Sequence, residues 1–295
     1  MPLVRVGVID IGANTLRLLV AESDGSRVLP VQTERIRLGL GEHVETIGRI
    51  PRPAIVATVN AARREVERAR DLGCSIVRTV ITSPGRQARN GLELAAALTA
   101  VPGANARVLD AEEEARLGYA GAVSSVTVDA ESVAVCDVGG GSVQLVVGMY
   151  ESGPVWLRSI DVGSLRLAQR YGGEIVDDER LAAMRADAER AFSGMAPPLP
   201  QAALATGGTA RALRKLVGAT LGPAELAAAL LIVTESSHKR LAKEHGLTSA
   251  RARTLPAGTI LLAEAQRRLG VPFGIARGGV REGVALSALA EAAAA

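Results

Sequence analysis

The chain has 295 residues, 48% of them hydrophobic, with two cysteines and a formal net charge of +3. That length points to about two domains, and two thiols exclude a disulfide framework. Aromatic residues make up only 2% and no run of lysine or arginine is present, which excludes base-stacking platforms and a duplex-binding stripe. No nucleic-acid partner is therefore expected.

The opening stretch, MPLVRVGVIDIG, lacks the charged region and long apolar run of a signal peptide. The longest apolar run, Ala224 to Val233 with Glu225 inside it, is too short to span a bilayer. The expectation is a soluble cytoplasmic protein with no membrane partner. Val4–Asp10 and Thr15–Ala21 read as two strands around a tight turn, and residues 28–38 as a further strand with Arg35 and Arg37 on one face. Pro53–Leu72 carries Ile55, Val59, Ala62, Val66 and Ala69 at helical spacing and stops at Gly73. Ser75–Thr82 reads as a buried strand, and the segment after it turns into one helix reaching about Ala100, with Arg86 near its start. A short strand at Arg107–Asp110 leads to a helix over 110–123, capped by Asp110 and loaded with Glu112, Glu113 and Glu114 in its first turn.

The small, polar residues 124–132 read as a connection. Residues 133–149, VAVCDVGGGSVQLVVGM, then repeat residues 6–22, VGVIDIGANTLRLLVAE, without a gap. Asp10 matches Asp137, Gly12 matches Gly139, and Thr15 meets Ser142. Each copy is an apolar run, Asp-x-Gly, a small polar turn and a second apolar run. Glycine in such a turn lets the backbone approach a ligand and aim N–H groups at it. The aspartate at its mouth can hold a metal directly or through water. Two aligned copies indicate a duplicated domain with two phosphate-holding turns. The second half continues with a strand near Val155–Val162, a helix over Asp178–Phe192 and a strand at Ala202–Ala205. Thr206–Thr209 (TGGT) is a third glycine turn before a helix from Ala210; helices follow at 223–233, 234–244, 249–252 and 256–269, then a glycine turn and a final alanine-rich helix.

The segments DIGANTLRLLV (10–20), RIRLGLGE (35–42), TSPGRQARN (82–90), EEARLGYAG (113–121), DVGGGSVQLVVG (137–148), GSLRL (163–167), ATGGTARAL (205–213) and GGVREG (278–283) stand in this order along nearly the whole chain. Together they resemble the exopolyphosphatase / guanosine pentaphosphate phosphohydrolase (Ppx/GppA) family, in its short two-domain form. The resemblance implies an α/β fold of two duplicated actin-like (ribonuclease H-like) lobes, each on a mixed five-stranded sheet, with the active site in the cleft between them. It places the N-terminal lobe at 1–126, with the last helix, about 281–295, packing back on it, and the C-terminal lobe at 127–280. It implies inorganic polyphosphate or guanosine pentaphosphate as ligand, Mg2+ as cofactor, and a possible homodimer.

Carried over residue by residue, the resemblance makes Glu114 the catalytic base. The phosphate-binding residues are Gly12, Asn14, Thr15 and Arg17 of the first loop, Arg86, Gly139, Gly140, Gly141 and Ser142 of the second loop, and Gly207, Gly208 and Thr209 of the third turn. Asp10 and Asp137 become the magnesium holders. Such a set suits water attack on a terminal phosphate, where negative oxygens must be neutralised and the water aimed in line. The chain departs from the family in carrying Gln144 where GGGSTEL has glutamate, and Asp110-Ala111 where a Ser-Gly pair is usual. Glutamine keeps an acceptor oxygen without the charge. The expectation is hydrolysis of polyphosphate from its ends, with guanosine pentaphosphate hydrolysis, or a weakly active polyphosphate- or alarmone-binding protein, as alternatives. The EEAR and REG segments argue against a sugar or acetate kinase.

Overall fold

The computed structural model describes residues 4–23, 27–171 and 176–294. Residues 1–3 of the expected first lobe and Ala295 of the expected last helix lie outside the described residues. The chain forms two compact units, one running to Ser125 and resuming at Gly278, the other spanning Val126–Arg277.

In the first unit β1 (Val6–Ile11) and β2 (Thr15–Ser23) form an antiparallel hairpin, followed by β3 (Val28–Arg37). Then come α1 (Leu40–Ile47), α2 (Arg52–Asp71), β4 (Ile76–Ile81), α3 (Ser83–Gln87), α4 (Gly91–Thr99), β5 (Ala106–Val108) and α5 (Ala111–Val123). The sheet order is β3-β2-β1-β4-β5, with β1, β4 and β5 parallel. Central strands covered on both faces read as continuous apolar runs, and Val6, Val8, Ile9 and Ile11 of β1 are all fully buried. Edge strand β3 instead alternates between exposed and half-buried positions, with Arg35 and Arg37 on its exposed face.

The second unit opens with β6 (Ser132–Val138), β7 (Val143–Met149) and β8 (Gly153–Ile160). It continues through α6 (Ser164–Tyr171), α7 (Asp178–Ala191), β9 (Ala202–Thr206), α8 (Gly207–Val217), β10 (Thr220–Leu221), α9 (Pro223–Glu235), α10 (His238–Glu244), α11 (Ser249–Leu269) and β11 (Phe273–Ile275). Its order, β10-β11-β9-β6-β7-β8, repeats the first sheet strand for strand from β11 to β8. The chain then returns to the first unit as α12 (Val280–Ala294), which buries Val284, Ala285 and Ala288 against Val6, Val8, Leu19 and Ala21.

The sequence expectations need four corrections. Among the described residues the second sheet has six strands rather than five, because two-residue β10 adds an edge to β11. The helix expected to run to Ala100 is broken into α3 and α4 at Asn90, whose side chain bonds both the N–H (2.8 Å) and the carbonyl (2.9 Å) of Ile50. The pair expected at 249–252 and 256–269 is one helix, α11, running through Pro256. A proline inside a helix costs about 3 kcal/mol, and here the fully buried Leu255, Ala257, Leu261 and Leu262 around it offset that cost. The TGGT glycines form the first turn of α8 rather than a loop before it.

Candidate active site

The two glycine turns close with the same hydrogen bond. Gly12 N–H donates to the Thr15 carbonyl at 3.0 Å, and Gly139 N–H donates to the Ser142 carbonyl at 2.9 Å. Cross-strand pairing puts Asp10 beside Arg17 and Asp137 beside Gln144. In the first unit the hairpin therefore gathers Asp10, Gly12, Asn14, Thr15 and Arg17. Burial pushes the Asp10 carboxyl above its ordinary range; Arg17 and then Arg281 oppose this, and Glu282 adds to it. Asp10 Oδ1 and Asn14 Oδ1 are both shielded from solvent and meet no donor among the described residues. Orphaned oxygen acceptors of this kind are hard ligands. They fit a hydrated divalent cation of the magnesium type, which takes one or two carboxylates and completes its shell with water and phosphate. No group of three or more His, Cys, Asp or Glu is assembled as a metal cage among the described residues.

Helix α5 separates its three acids by helical geometry. Asp110 caps it, accepting from Glu113 N–H at 2.7 Å. Glu112 pairs with Arg116 at 2.6 Å and Glu113 with Arg107 at 2.5 Å, all at least a third exposed. Glu114 lies on the inward face with Ala115, Gly118, Tyr119 and Ala122. Its carboxylate sits 2.7 Å from Arg86 Nη2, with the two side chains 9% and 17% exposed. Arg86 also donates through Nη1 to the Leu109 carbonyl at 2.9 Å, which fixes its reach. The structure thus brings Arg86 and Glu114 together as a buried ion pair.

Two residues with no role assigned from sequence, Arg281 and Glu282, act electrostatically on Asp10. The GGVREG segment starts α12, where Glu282 accepts from Gly279 N–H at 2.8 Å and Arg281 lies 3.6 Å from Glu282. Backbone contact with α5 sets their position: a Cβ on Gly121 would overlap the Gly279 carbonyl, and one on Gly283 the Leu117 carbonyl. The signal for Arg281 was in the sequence, an arginine between glycines, but only folding brings it to Asp10.

In the second unit Gly139–Ser142 and Gly207 meet at Asp137. Gly207 has φ +84, and a Cβ there would overlap the Asp137 carboxylate. Gly208 is covered by the guanidinium of Arg251, another residue unassigned from sequence. Thr209 is fully buried; its hydroxyl donates to the Val138 carbonyl at 3.5 Å and accepts from Arg251 at 3.3 Å. It faces the protein interior and holds the turn. Gln144 is buried, and its amide donates to Ser142 Oγ at 2.9 Å and Ser159 Oγ at 3.2 Å.

Two equivalent glycine turns, each at the end of an aspartate-bearing strand, define an enzyme that handles phosphoryl groups on a duplicated α/β fold. The chain belongs to the Ppx/GppA phosphatase family, whose model matches residues 19–292, and is a phosphoric anhydride hydrolase. It is 25% identical to exopolyphosphatase 1 of Mycobacterium tuberculosis over 97% of this chain and 88% of that protein. Its fold is shared by an exopolyphosphatase from Cytophaga hutchinsonii (TM-score 0.88, 20% identity, 97% of this chain and 98% of that one). The Aquifex aeolicus family member shares it too (TM-score 0.84, 21% identity, 98% and 99%). Among the described residues no helix is long and apolar enough to cross a membrane.

Proposed function

We propose that this chain is an exopolyphosphatase, releasing orthophosphate from the ends of inorganic polyphosphate with magnesium as cofactor. The observation that carries this reading is the buried Arg86–Glu114 pair at 2.7 Å. A terminal phosphate oxygen can take over the Arg86 contact, which leaves the Glu114 carboxylate able to accept a proton. Water then attacks the terminal phosphorus, its proton passes to Glu114, and the bond to the bridging oxygen breaks, leaving a chain one phosphate shorter. The N–H groups of the glycine turns and Arg17 neutralise phosphate oxygens. Asp10, with its orphaned Oδ1, would hold the metal, which would supply further neutralisation of the phosphate charge when bound, and Asp137 stands at the matching place in the second unit.

The likeness to exopolyphosphatase 1 favours polyphosphate over guanosine pentaphosphate. With 2% aromatic residues, the chain also has few side chains that could stack on a guanine. Orthophosphate release from long-chain polyphosphate, guanosine pentaphosphate and ATP, each with and without magnesium, tests the proposal. Polyphosphate should be the fastest substrate and release should depend on the metal. Faster release from guanosine pentaphosphate would reassign the substrate, and polyphosphate binding without turnover would make the chain a sensor.

A further inference from the structure

The duplication runs further than the hairpins. In the first unit Leu16 pairs with Ile36 of β3, and five residues after Ile36 the Gly41 N–H donates to the Ala13 carbonyl at 2.7 Å. In the second, Val143 pairs with Ile160 of β8, and five residues after Ile160 the Leu165 N–H donates to the Gly140 carbonyl at 2.9 Å. Ala13 and Gly140 are themselves the matching residues of the two turns. The helices that make these contacts, α1 and α6, have eight residues each and start at equivalent positions. Leu38 and Gly39 N–H also donate to the Asn14 carbonyl, at 2.9 and 3.1 Å. Ser164 grips the Gly139 carbonyl twice, through N–H at 2.9 Å and through Oγ at 3.0 Å.

We infer that the start of each helix is a clamp that aims its glycine turn, and that Gly39 with Gly41, and Gly163 with Ser164, are positioning residues for phosphate binding. In a trans peptide the carbonyl and the following N–H point in opposite directions. Pinning the Gly139 carbonyl to Ser164 turns the Gly140 N–H away from α6, and no acceptor among the described residues meets that N–H. Pinning the Ala13 carbonyl to Gly41 turns the Asn14 N–H the same way. The clamp thus converts a flexible glycine turn into a fixed row of donors, which is what tight anion binding without reorganisation requires. Glycine is needed at both clamp starts for different reasons. Gly39 has φ +68, a left-handed conformation, and a Cβ on Gly163 would overlap the Gly140 carbonyl. This role rests on the phosphate-handling reading above, but the clamp itself is testable without a substrate.

The experiment compares Ser164→Ala, Ser164→Thr and Gly163→Ala in the full chain. Amide hydrogen exchange across Val138–Val143 is followed without ligand, and affinity for long-chain polyphosphate is measured by titration, with thermal midpoints alongside. Ser164→Ala keeps the backbone bond and loses one side-chain bond, so polyphosphate should bind about fivefold more weakly. Turn exchange should quicken and the midpoint should hardly move. Ser164→Thr should restore both readouts, and Gly163→Ala should weaken binding about tenfold or more. Unchanged turn exchange in Ser164→Ala and Gly163→Ala, or a fallen midpoint with unchanged affinity, overturns the clamp. A wild-type protein that binds no polyphosphate overturns the functional reading instead, and the exchange result still decides the clamp.

Discussion

Replacing Glu114 with glutamine removes a charge and a base while keeping the shape. The carboxylate is 9% exposed and 2.7 Å from Arg86 Nη2. At that range and an effective dielectric of about 20, the gross attraction is about 6 kcal/mol, much of it offset by desolvation of both groups. Truncation to alanine would leave a buried, unpaired guanidinium and cost about 3–5 kcal/mol. Glutamine still presents an oxygen to Arg86, and the bond from Arg86 to the Leu109 carbonyl survives, so the stability cost should be about 1–2 kcal/mol. Loss of a general base should cut turnover about 100-fold, about 2.7 kcal/mol of transition-state stabilisation. Phosphate release at saturating polyphosphate, with affinity measured separately, gives the comparison. Affinity should stay within about twofold, because Arg86 is left charged and free to bind phosphate. Glu112→Gln and Glu113→Gln are the controls, since their partners Arg116 and Arg107 lie at the surface and exposed pairs contribute little. Turnover of Glu114→Gln within threefold of wild type, with only the thermal midpoint lowered, would refute the reasoning and leave Glu114 as a helix-terminus charge.

Glu65 on α2 is buried with Oε2 lacking a hydrogen-bond partner, and burial raises its pKa from 4.5 against the pull of Arg68. A carboxyl with a raised folded-state pKa favours its protonated form, so stability falls as pH rises above the unfolded value; Glu65→Gln should stabilise by about 1 kcal/mol at neutral pH, a gain that denaturant melts should show vanishing in acid. Gly207→Ala forces a Cβ against Asp137 at φ +84, so it should cost about 1–3 kcal/mol and lower turnover, both checked by melts and phosphate release on the folded fraction; an unchanged rate would detach Asp137 from the reaction. Gln144→Glu makes Ser142 and Ser159 donate where they now accept from the amide and adds a negative charge, so magnesium titrations of phosphate release should show tighter metal dependence and higher turnover; unchanged values would make glutamine a neutral replacement.

Much of the fold could be read because its strongest signals are local. The hairpins carry continuous apolar runs on either side of Asp-x-Gly, and α2 keeps its apolar stripe for twenty residues. The clamp helices α1 and α6 were not legible in the same way. Each has only eight residues, and LGLGE at the start of α1 carries two glycines, which weaken a helical signal. What makes them helices is the turn carbonyls they bond, which come from residues more than twenty positions away. Pro256 misled for the reverse reason, since a local breaker was outweighed by the core around it. Within the site, Glu114 is one of three acids in a single turn, and the role proposed for it comes from resemblance. Helical spacing held the distinguishing information, for Glu114, Gly118 and Tyr119 share the buried face while Glu112 and Glu113 do not. Arg281 and Arg251 could not be singled out, because each meets its neighbours through contacts from distant parts of the chain.

The central claim, that Glu114-assisted water attacks the terminal phosphorus of polyphosphate, is tested most directly by hydrolysis in 18O-labelled water. Long-chain polyphosphate is incubated with the protein and magnesium, and mass spectrometry locates the label in early products. The account predicts one labelled oxygen in each released orthophosphate, an unlabelled shortened chain, and the same pattern at a far lower rate for Glu114→Gln. Label in the shortened chain, or equal rates for the wild type and Glu114→Gln, would contradict it.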